Sequence, residues 1–217
     1  MEQEVSIEIL RYDPQKDKEP NWQKYYIPVV KKNTVLGALQ YIYENIDATL
    51  AFRYGCRFNR CGLCAVEING RPRMACNTYL KDGMRVSPLT KLPLIKDLVI
   101  ERNNIFNYLA NHELYLSQND ETKSLIIKES EQGARLRSCM ECLACLSACP
   151  QFFYGDQNFA GPYIFVKLAQ LYFDPRNTND RRKQAYLLGI TRCQSCQTRC
   201  YCPNGIRIYE DAILSLA

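Results

Sequence analysis

The chain has 217 residues, 47% of them apolar, with 28 Lys and Arg against 23 Asp and Glu and a formal net charge of +5. That is enough to bury a core in one large domain or two small ones. No apolar run reaches the ~18 residues of a membrane span, and Met1-Glu2-Gln3-Glu4 has neither the basic start nor the apolar stretch of a signal peptide. A reducing compartment is therefore expected, cytoplasmic or of the matrix type, where twelve cysteines read as metal ligands rather than disulfides.

In chain order, Val5, Ile7 and Ile9 alternate with polar neighbours as a half-buried strand does, and Asp13-Pro14 ends it. Tyr25 to Val30 reads as its hairpin partner across a long charged connection. Thr34 can cap a helix whose Val35, Leu36, Leu39, Ile42, Tyr43 and Ile46 recur at helical spacing and predict one packed face. Cys56, Cys61, Cys64 and Cys76 follow, with the CxxxxCxxC spacing and later fourth ligand of a plant-type 2Fe-2S loop. Leu63 to Ile68 alternates again, Asn69-Gly70 is a tight-turn dipeptide, and Met74 to Cys76 returns towards the loop. A strand near Met84 to Val86 after Asp82-Gly83 completes four or five short strands and one helix, the content of a β-grasp ferredoxin domain over residues 1–100.

From residue 101 to 217 the pattern turns helical. Helices are expected over Ile105 to Leu116, in a stretch ending at Arg137, over Pro162 to Phe173 with proline in the permitted first turn, and over Arg181 to Leu188 stopped by Gly189. Asn119 to Lys123 and Asp174 to Asp180 read as polar connectors. The fold class is thus α+β, a β-grasp 2Fe-2S domain followed by an all-α domain of the two-cluster ferredoxin type.

Two further cysteine runs lie in this half, Cys139-xx-Cys142-xx-Cys145-xxx-Cys149-Pro150 and Cys193-xx-Cys196-xxx-Cys200-x-Cys202-Pro203. In two-cluster ferredoxins the cysteine ahead of proline ligates the other cluster. That crossing predicts one 4Fe-4S centre on Cys139, Cys142, Cys145 and Cys202 and a second on Cys149, Cys193, Cys196 and Cys200. The last run departs from the usual spacing, and if Cys196 or Cys200 does not ligate, its centre is 3Fe-4S. Soft thiolates suit cluster iron, and Gly55 and Gly62 let the first loop wrap with its amides turned inwards. Zinc, in a structural or interaction protein, is the rival from another class, but zinc ribbons use separated CxxC pairs and not three ligands on one turn. Twelve thiolates and three oxidised cluster cores would bring the net charge from +5 to about −1, which removes the case for nucleic-acid binding.

The residues also carry a family likeness. Arg11-Tyr12-Asp13-Pro14, Thr34-Val35-Leu36, the loop Cys56 to Ala65, Ile68-Asn69-Gly70, Ala75-Cys76, Pro93 to Leu98, Cys149-Pro150, Gly161-Pro162 and Cys202-Pro203-Asn204-Gly205 resemble the iron-sulfur subunit of succinate dehydrogenase and fumarate reductase over nearly the full length. The resemblance implies an electron relay with one 2Fe-2S and two further clusters. It also implies a flavoprotein partner that holds FAD and the dicarboxylate site, a membrane-anchor or other redox subunit as second partner, and a place on the inner face of the membrane through those partners. No catalytic residue is expected in this chain. The family's quinone-site tryptophan is replaced here by Phe152-Phe153-Tyr154, and its histidine by Gln194, so these four residues are the candidates for the second partner's site, and quinone, thiol and other carriers stay open. The same two-domain plan occurs in heterodisulfide-reductase-like and other soluble anaerobic oxidoreductases. The motifs do not set the direction of electron flow.

His112, the only histidine, excludes a Rieske centre, which needs two, and reads as an ordinary helix residue. Arg53, Arg57, Arg60, Arg71 and Arg73 crowd the first cysteine loop and either offset its charge or present a basic face to an acidic partner.

Overall fold

A computed structural model describes residues 4–28, 33–116, 128–198 and 200–217. They form two compact units, residues 1–101 with 140–147, and residues 102–139 with 148–217. The expected connector Asn119 to Lys123 and the end of the second expected strand, Val29 and Val30, lie outside the described residues.

The first unit is a five-stranded sheet with one helix against it. Its strands are β1 (Glu4–Arg11), β2 (Asn21–Pro28), β3 (Ala65–Ile68), β4 (Arg71–Met74) and β5 (Met84–Ser87), in the order β2-β1-β5-β3-β4. β1 runs parallel to β5 and antiparallel to β2, while β3 pairs antiparallel with β4 and β5. This is the β-grasp arrangement. Ile7, Ile9 and Val86 on the central strands are fully buried because their alternate positions face the helix. β2 starts at Asn21, earlier than its apolar pattern suggests, because Arg11 pairs with Asn21 at the foot of the ladder.

Helix α1 (Val35–Asn45) begins as expected: the Thr34 hydroxyl accepts the Gly37 amide at 3.2 Å. Val35, Leu36, Ala38, Leu39 and Ile42 are its buried face. Tyr43 and Ile46, expected on that face, are half exposed instead: Tyr43 packs edge-on against Phe52, and Ile46 is the cap beyond the helix. Asn69 and Gly70, at φ of 51° and 72°, make the tight turn between β3 and β4. The structure adds a hairpin that the sequence pattern does not reveal, β6 (Leu94–Lys96) and β7 (Val99–Ile100).

Its turn residue Asp97 is almost wholly buried. Its carboxylate accepts Arg11 Nε at 3.0 Å, the Tyr12 amide at 2.9 Å and the Ala51 amide at 2.8 Å. Arg11 also reaches Asp47 at 2.5 Å, Thr49 at 3.0 Å and the Tyr25 hydroxyl. Burial alone would raise the Asp47 pKa, but the hydrogen bonds from Thr49 and Arg11 outweigh it and hold the carboxyl well below the usual range. A depressed carboxyl adds stability that is full above its unfolded value of 3.8 and is lost as pH falls below it. Asp47→Asn is therefore expected to cost about 1.5 kcal/mol at pH 6. The gap should close progressively below pH ~4, read from urea midpoints of the iron-free chain by the fluorescence of Trp22.

Among its described residues the second unit holds helices and turns and no strand. Its elements are α2 (Asn103–Asn111), α3 (Glu131–Arg137), the last residue of α4 (Ala144–Ala148), α5 (Pro162–Tyr172), α6 (Arg181–Leu187), α7 (Thr191–Gln194), a π-helical turn at Tyr209–Ile213 and α8 (Leu214–Leu216). α2 ends at Asn111, short of the expected Leu116, with His112 at its cap and the His112 ring 4.1 Å from that of Tyr108. α5 is the hub, with Pro162 in its first turn and Tyr163, Ile164, Phe165, Val166, Leu168 and Ala169 buried. α3, α6, α8 and the π turn pack around it. α6 stops at Gly189, whose φ of 83° lets the backbone pass Asn158, where a Cβ would fall 2.0 Å from the Asn158 carbonyl oxygen. The π turn is fixed by Asp211, which accepts two hydrogen bonds from Arg135 at 2.8 and 3.2 Å and one from Arg207 at 3.1 Å.

Candidate functional site

The first cysteine loop hangs between α1 and β3. Arg57 and Asn59 stand in the left-handed region at φ of 61° and 53°, and Gly62 at 71°, so the chain coils and its amides turn inwards. The Phe58 and Arg60 amides both donate to the Cys56 sulfur at 3.3 Å, and the Cys56 amide donates to the Cys61 sulfur at 3.4 Å. Those donors lower the Cys56 thiol to about 7, the two backbone amides having the largest effect. Cys64 directly precedes β3 and is buried; burial first, then Cys76 and Cys61, raise its thiol to about 12. The Ala75 amide bonds the Cys64 carbonyl at 3.0 Å and so brings the 3₁₀ turn carrying Cys76 alongside. Cys56 and Cys61 thus share a hydrogen bond, as do Cys64 and Cys76, and Cys61 lies close enough to raise the Cys64 thiol as well.

In the second unit Cys149, Cys193, Cys196 and Cys200 line one cavity with Phe159, Pro162 and others. Its wall is largely apolar, and Tyr209 at the start of the π turn closes one side. Burial, and after it the neighbouring cysteines, raise Cys193 to about 12 and Cys200 to about 11. Such thiols are strained only while they lack a cation, because coordination deprotonates them outright.

The donor chemistry of each set fits an iron-sulfur cluster: four soft ligands in both, with amides aimed at sulfur in the first loop and an apolar wall around the second set. Among the described residues no group of three or more His, Cys, Asp or Glu is placed to hold a single metal ion. Asn59 Oδ1 is buried without a partner in the first loop. Turned over, the same amide presents an N–H there, a donor that cluster sulfur can accept.

The remaining expected ligands are Cys142 and Cys145, which belong to the first unit, and Cys139 and Cys202, which belong to the second. Sequence reasoning puts the whole stretch from 139 onwards with the helices. Residues 140–147 instead pack beneath the first cysteine loop, with Met140, Cys142, Leu143, Ala144, Leu146 and Ser147 all buried. Glu67, which the alternation of β3 places outwards, is also buried, held by Thr90 and Ser147.

Of the candidates for a second partner's site, Phe152 is a core residue, while Phe153 and Tyr154 are exposed at 64% and 42%. Gln194 is exposed at the end of α7. Arg57 lies over the Tyr54 ring at 5.3 Å, and Tyr54 stacks on Phe52. Arg53 donates to the Ile100 carbonyl at 3.0 Å, and Arg71 and Arg73 line a cleft with Lys81 and Tyr79.

The family model described as a 2Fe-2S iron-sulfur cluster binding domain matches residues 6–107. A subunit of the fumarate reductase (CoM/CoB) of Methanothermobacter marburgensis is 35% identical over 215 residues, covering 98% of this chain and 43% of that protein. The chain thus spans about two fifths of the length of that relative. The fumarate reductase iron-sulfur subunit of Haemophilus influenzae is 30% identical over 217 residues, covering 91% of this chain and 84% of that protein. Among solved structures, a chain of the Mycobacterium smegmatis Sdh1 complex in the apo form superposes with a TM-score of 0.86 at 24% identity, covering 100% of this chain and 95% of that one, which is a likeness of fold. No helix among the described residues is long and apolar enough to cross a membrane.

Proposed function

The chain belongs to the family of fumarate reductase iron-sulfur subunits, and from that premise we propose that it relays electrons between a flavoprotein partner, which carries FAD and the dicarboxylate site, and a second redox partner. The observation that carries this reading is the gathering of two full sets of four cysteines, one within each unit. On this reading Cys56, Cys61, Cys64 and Cys76 hold a 2Fe-2S cluster. Cys139, Cys142, Cys145 and Cys202 hold a 4Fe-4S cluster, and Cys149, Cys193, Cys196 and Cys200 hold another, or a 3Fe-4S cluster if one thiolate stays out. Bound clusters supply one-electron transfer, and this chain's residues hold them, exclude water and tune them through N–H donors to sulfur. The exposed Phe58, Tyr54 and Tyr43 beside the first loop form an apolar face suited to the flavoprotein.

A thiol–disulfide couple is the second reading for the other partner. It is favoured over quinone by the methanogen relative, whose name includes CoM/CoB, and by Gln194 and Phe152 to Tyr154 standing where the family has its quinone residues.

The test is anaerobic purification together with the co-purifying large subunit. About ten irons per chain are expected from one two-iron and two four-iron centres, and about nine if the last is three-iron. The complex should reduce fumarate with a reduced dye. Zinc in place of iron overturns the relay; full iron without turnover of fumarate or succinate removes only the dicarboxylate assignment.

A further inference from the structure

Two contacts inside the first unit join loops that carry ligands of different predicted centres. The first is polar: Glu67 lies on β3 three residues beyond Cys64, and its Oε1 accepts Ser147 Oγ at 2.5 Å, two residues beyond Cys145. The same oxygen accepts the Thr90 amide at 3.2 Å and the Thr90 hydroxyl at 2.9 Å. Glu67 and Ser147 are 6% and 7% exposed, so water does not compete for these bonds. The second is steric: Gly62, between Cys61 and Cys64, lies so close to the other loop that a Cβ would fall 2.1 Å from the Met140 carbonyl oxygen and 3.0 Å from Cys142 Cα. Its φ of 71° reserves the position for glycine as well. The facing loop is itself wound, with Glu141 and Leu143 at φ of 55° and 66°, and is packed by the buried Leu143, Ala144 and Leu146.

A buried carboxylate bonded to a serine hydroxyl and a threonine is a costly way to hold a fold, since apolar residues would pack the same space. Its geometry is that of a clamp between two ligand loops. Resting on the relay reading above, we propose that Glu67 and Ser147, with Gly62, are positioning residues. They hold segment 140–147 against the first cluster loop and so fix the separation of the two centres between which an electron must pass.

The separation can be read without turnover, because a nearby paramagnetic centre speeds the spin relaxation of the reduced 2Fe-2S cluster with a steep dependence on distance. Ser147→Ala, Glu67→Ala, Glu67→Gln and Thr90→Ala would be made in the intact iron-loaded complex and compared by iron content and by microwave power saturation of the 2Fe-2S resonance. Ser147→Ala and Glu67→Ala are expected to keep their iron and lose the relaxation enhancement. Glu67→Gln, which keeps the accepting oxygen, should retain it, as should Thr90→Ala, which leaves the bond to Ser147 in place. If Glu67→Ala fails to assemble, Ser147→Ala decides alone, since it removes one oxygen atom from a small side chain. Full iron and unchanged saturation in Ser147→Ala overturns the clamp and leaves the relay standing. A wild-type complex without coupled centres overturns both.

Discussion

Removing iron is expected to unfold the helical unit while the sheet unit keeps its structure. α3 and α6 have seven residues each and α7 has four, far below the ~12–15 at which an isolated helix becomes even marginal in water. Cys149 stands at one end of a long excursion and Cys193, Cys196 and Cys200 at the other, so a cluster on these four closes the chain upon itself. Without it, burial and mutual proximity leave Cys193 and Cys200 as neutral thiols lining an apolar cavity, with nothing to tie the two ends together. Because a preformed site does not exist in the unfolded chain, the binding free energy of a structural metal group becomes folding free energy, and for structural zinc it reaches about 10–16 kcal/mol, as large as the roughly 5–15 kcal/mol of a whole domain. The sheet unit differs in kind. Ile7, Ile9, Ile27, Leu39, Ile42 and Val86 are each exposed by no more than 1%, and each contributes about 1.5–3 kcal/mol of burial that needs no metal. After anaerobic chelation, hydrogen exchange should show α5 amides unprotected and those of β1 and β5 still protected, with far-UV circular dichroism losing its helical signal. Protection persisting in α5 would mean that the core of Tyr163, Phe165 and Leu168 suffices alone.

Where sequence and structure agree, a local cause acted over a few residues. Thr34 caps α1 through an amide three residues on, Asn69-Gly70 can take positive φ, and Pro162 suits a first helical turn. Cys149, Cys193, Cys196 and Cys200 do line one cavity, although Cys149 lies more than forty residues from the other three. The departures come from partners distant in sequence. Glu67 reads as an outward position by period two and is buried because Ser147 and Thr90 satisfy it, 80 and 23 residues away. Segment 140–147 carries helix-like apolar residues but packs on the first unit, since Gly62 leaves room for its backbone. Tyr43 and Ile46 fit the helical stripe yet stay half exposed. Periodicity reports which face is apolar and not how far the neighbouring element extends. The π turn at Tyr209–Ile213 has no compositional signature, and its anchor, Asp211 on Arg135, is again a long-range pair.

Asp97 is the single side chain whose loss should most damage the first unit. Its two oxygens serve Arg11 Nε and the amides of Tyr12 and Ala51, and the Leu98 amide returns to the Ala51 carbonyl at 3.1 Å. The hairpin turn is thereby pinned to the foot of β1 and to the segment that leads from Ala51 into Cys56. Asp97→Ala would leave a guanidinium with only 10% of its side chain exposed short of one carboxylate, together with two amides lacking an acceptor. Breaking a buried ion pair from one side costs about 3–5 kcal/mol. Asp97→Asn tolerates the positive φ of 45° at this position and keeps an acceptor oxygen, so it should cost less, about 1.5–3 kcal/mol for the charge on the hydrogen bonds. Because the network ends on the approach to the first cysteine loop, the damage should reach the cluster. In urea, the visible absorbance of the cluster proposed on the first cysteine loop should bleach at a lower denaturant concentration in Asp97→Ala than in Asp97→Asn, and in both before wild type. Bleaching at the wild-type midpoint in Asp97→Ala, with the protein otherwise destabilised, would show that the loop is held by its own thiolates and not by the Asp97 network.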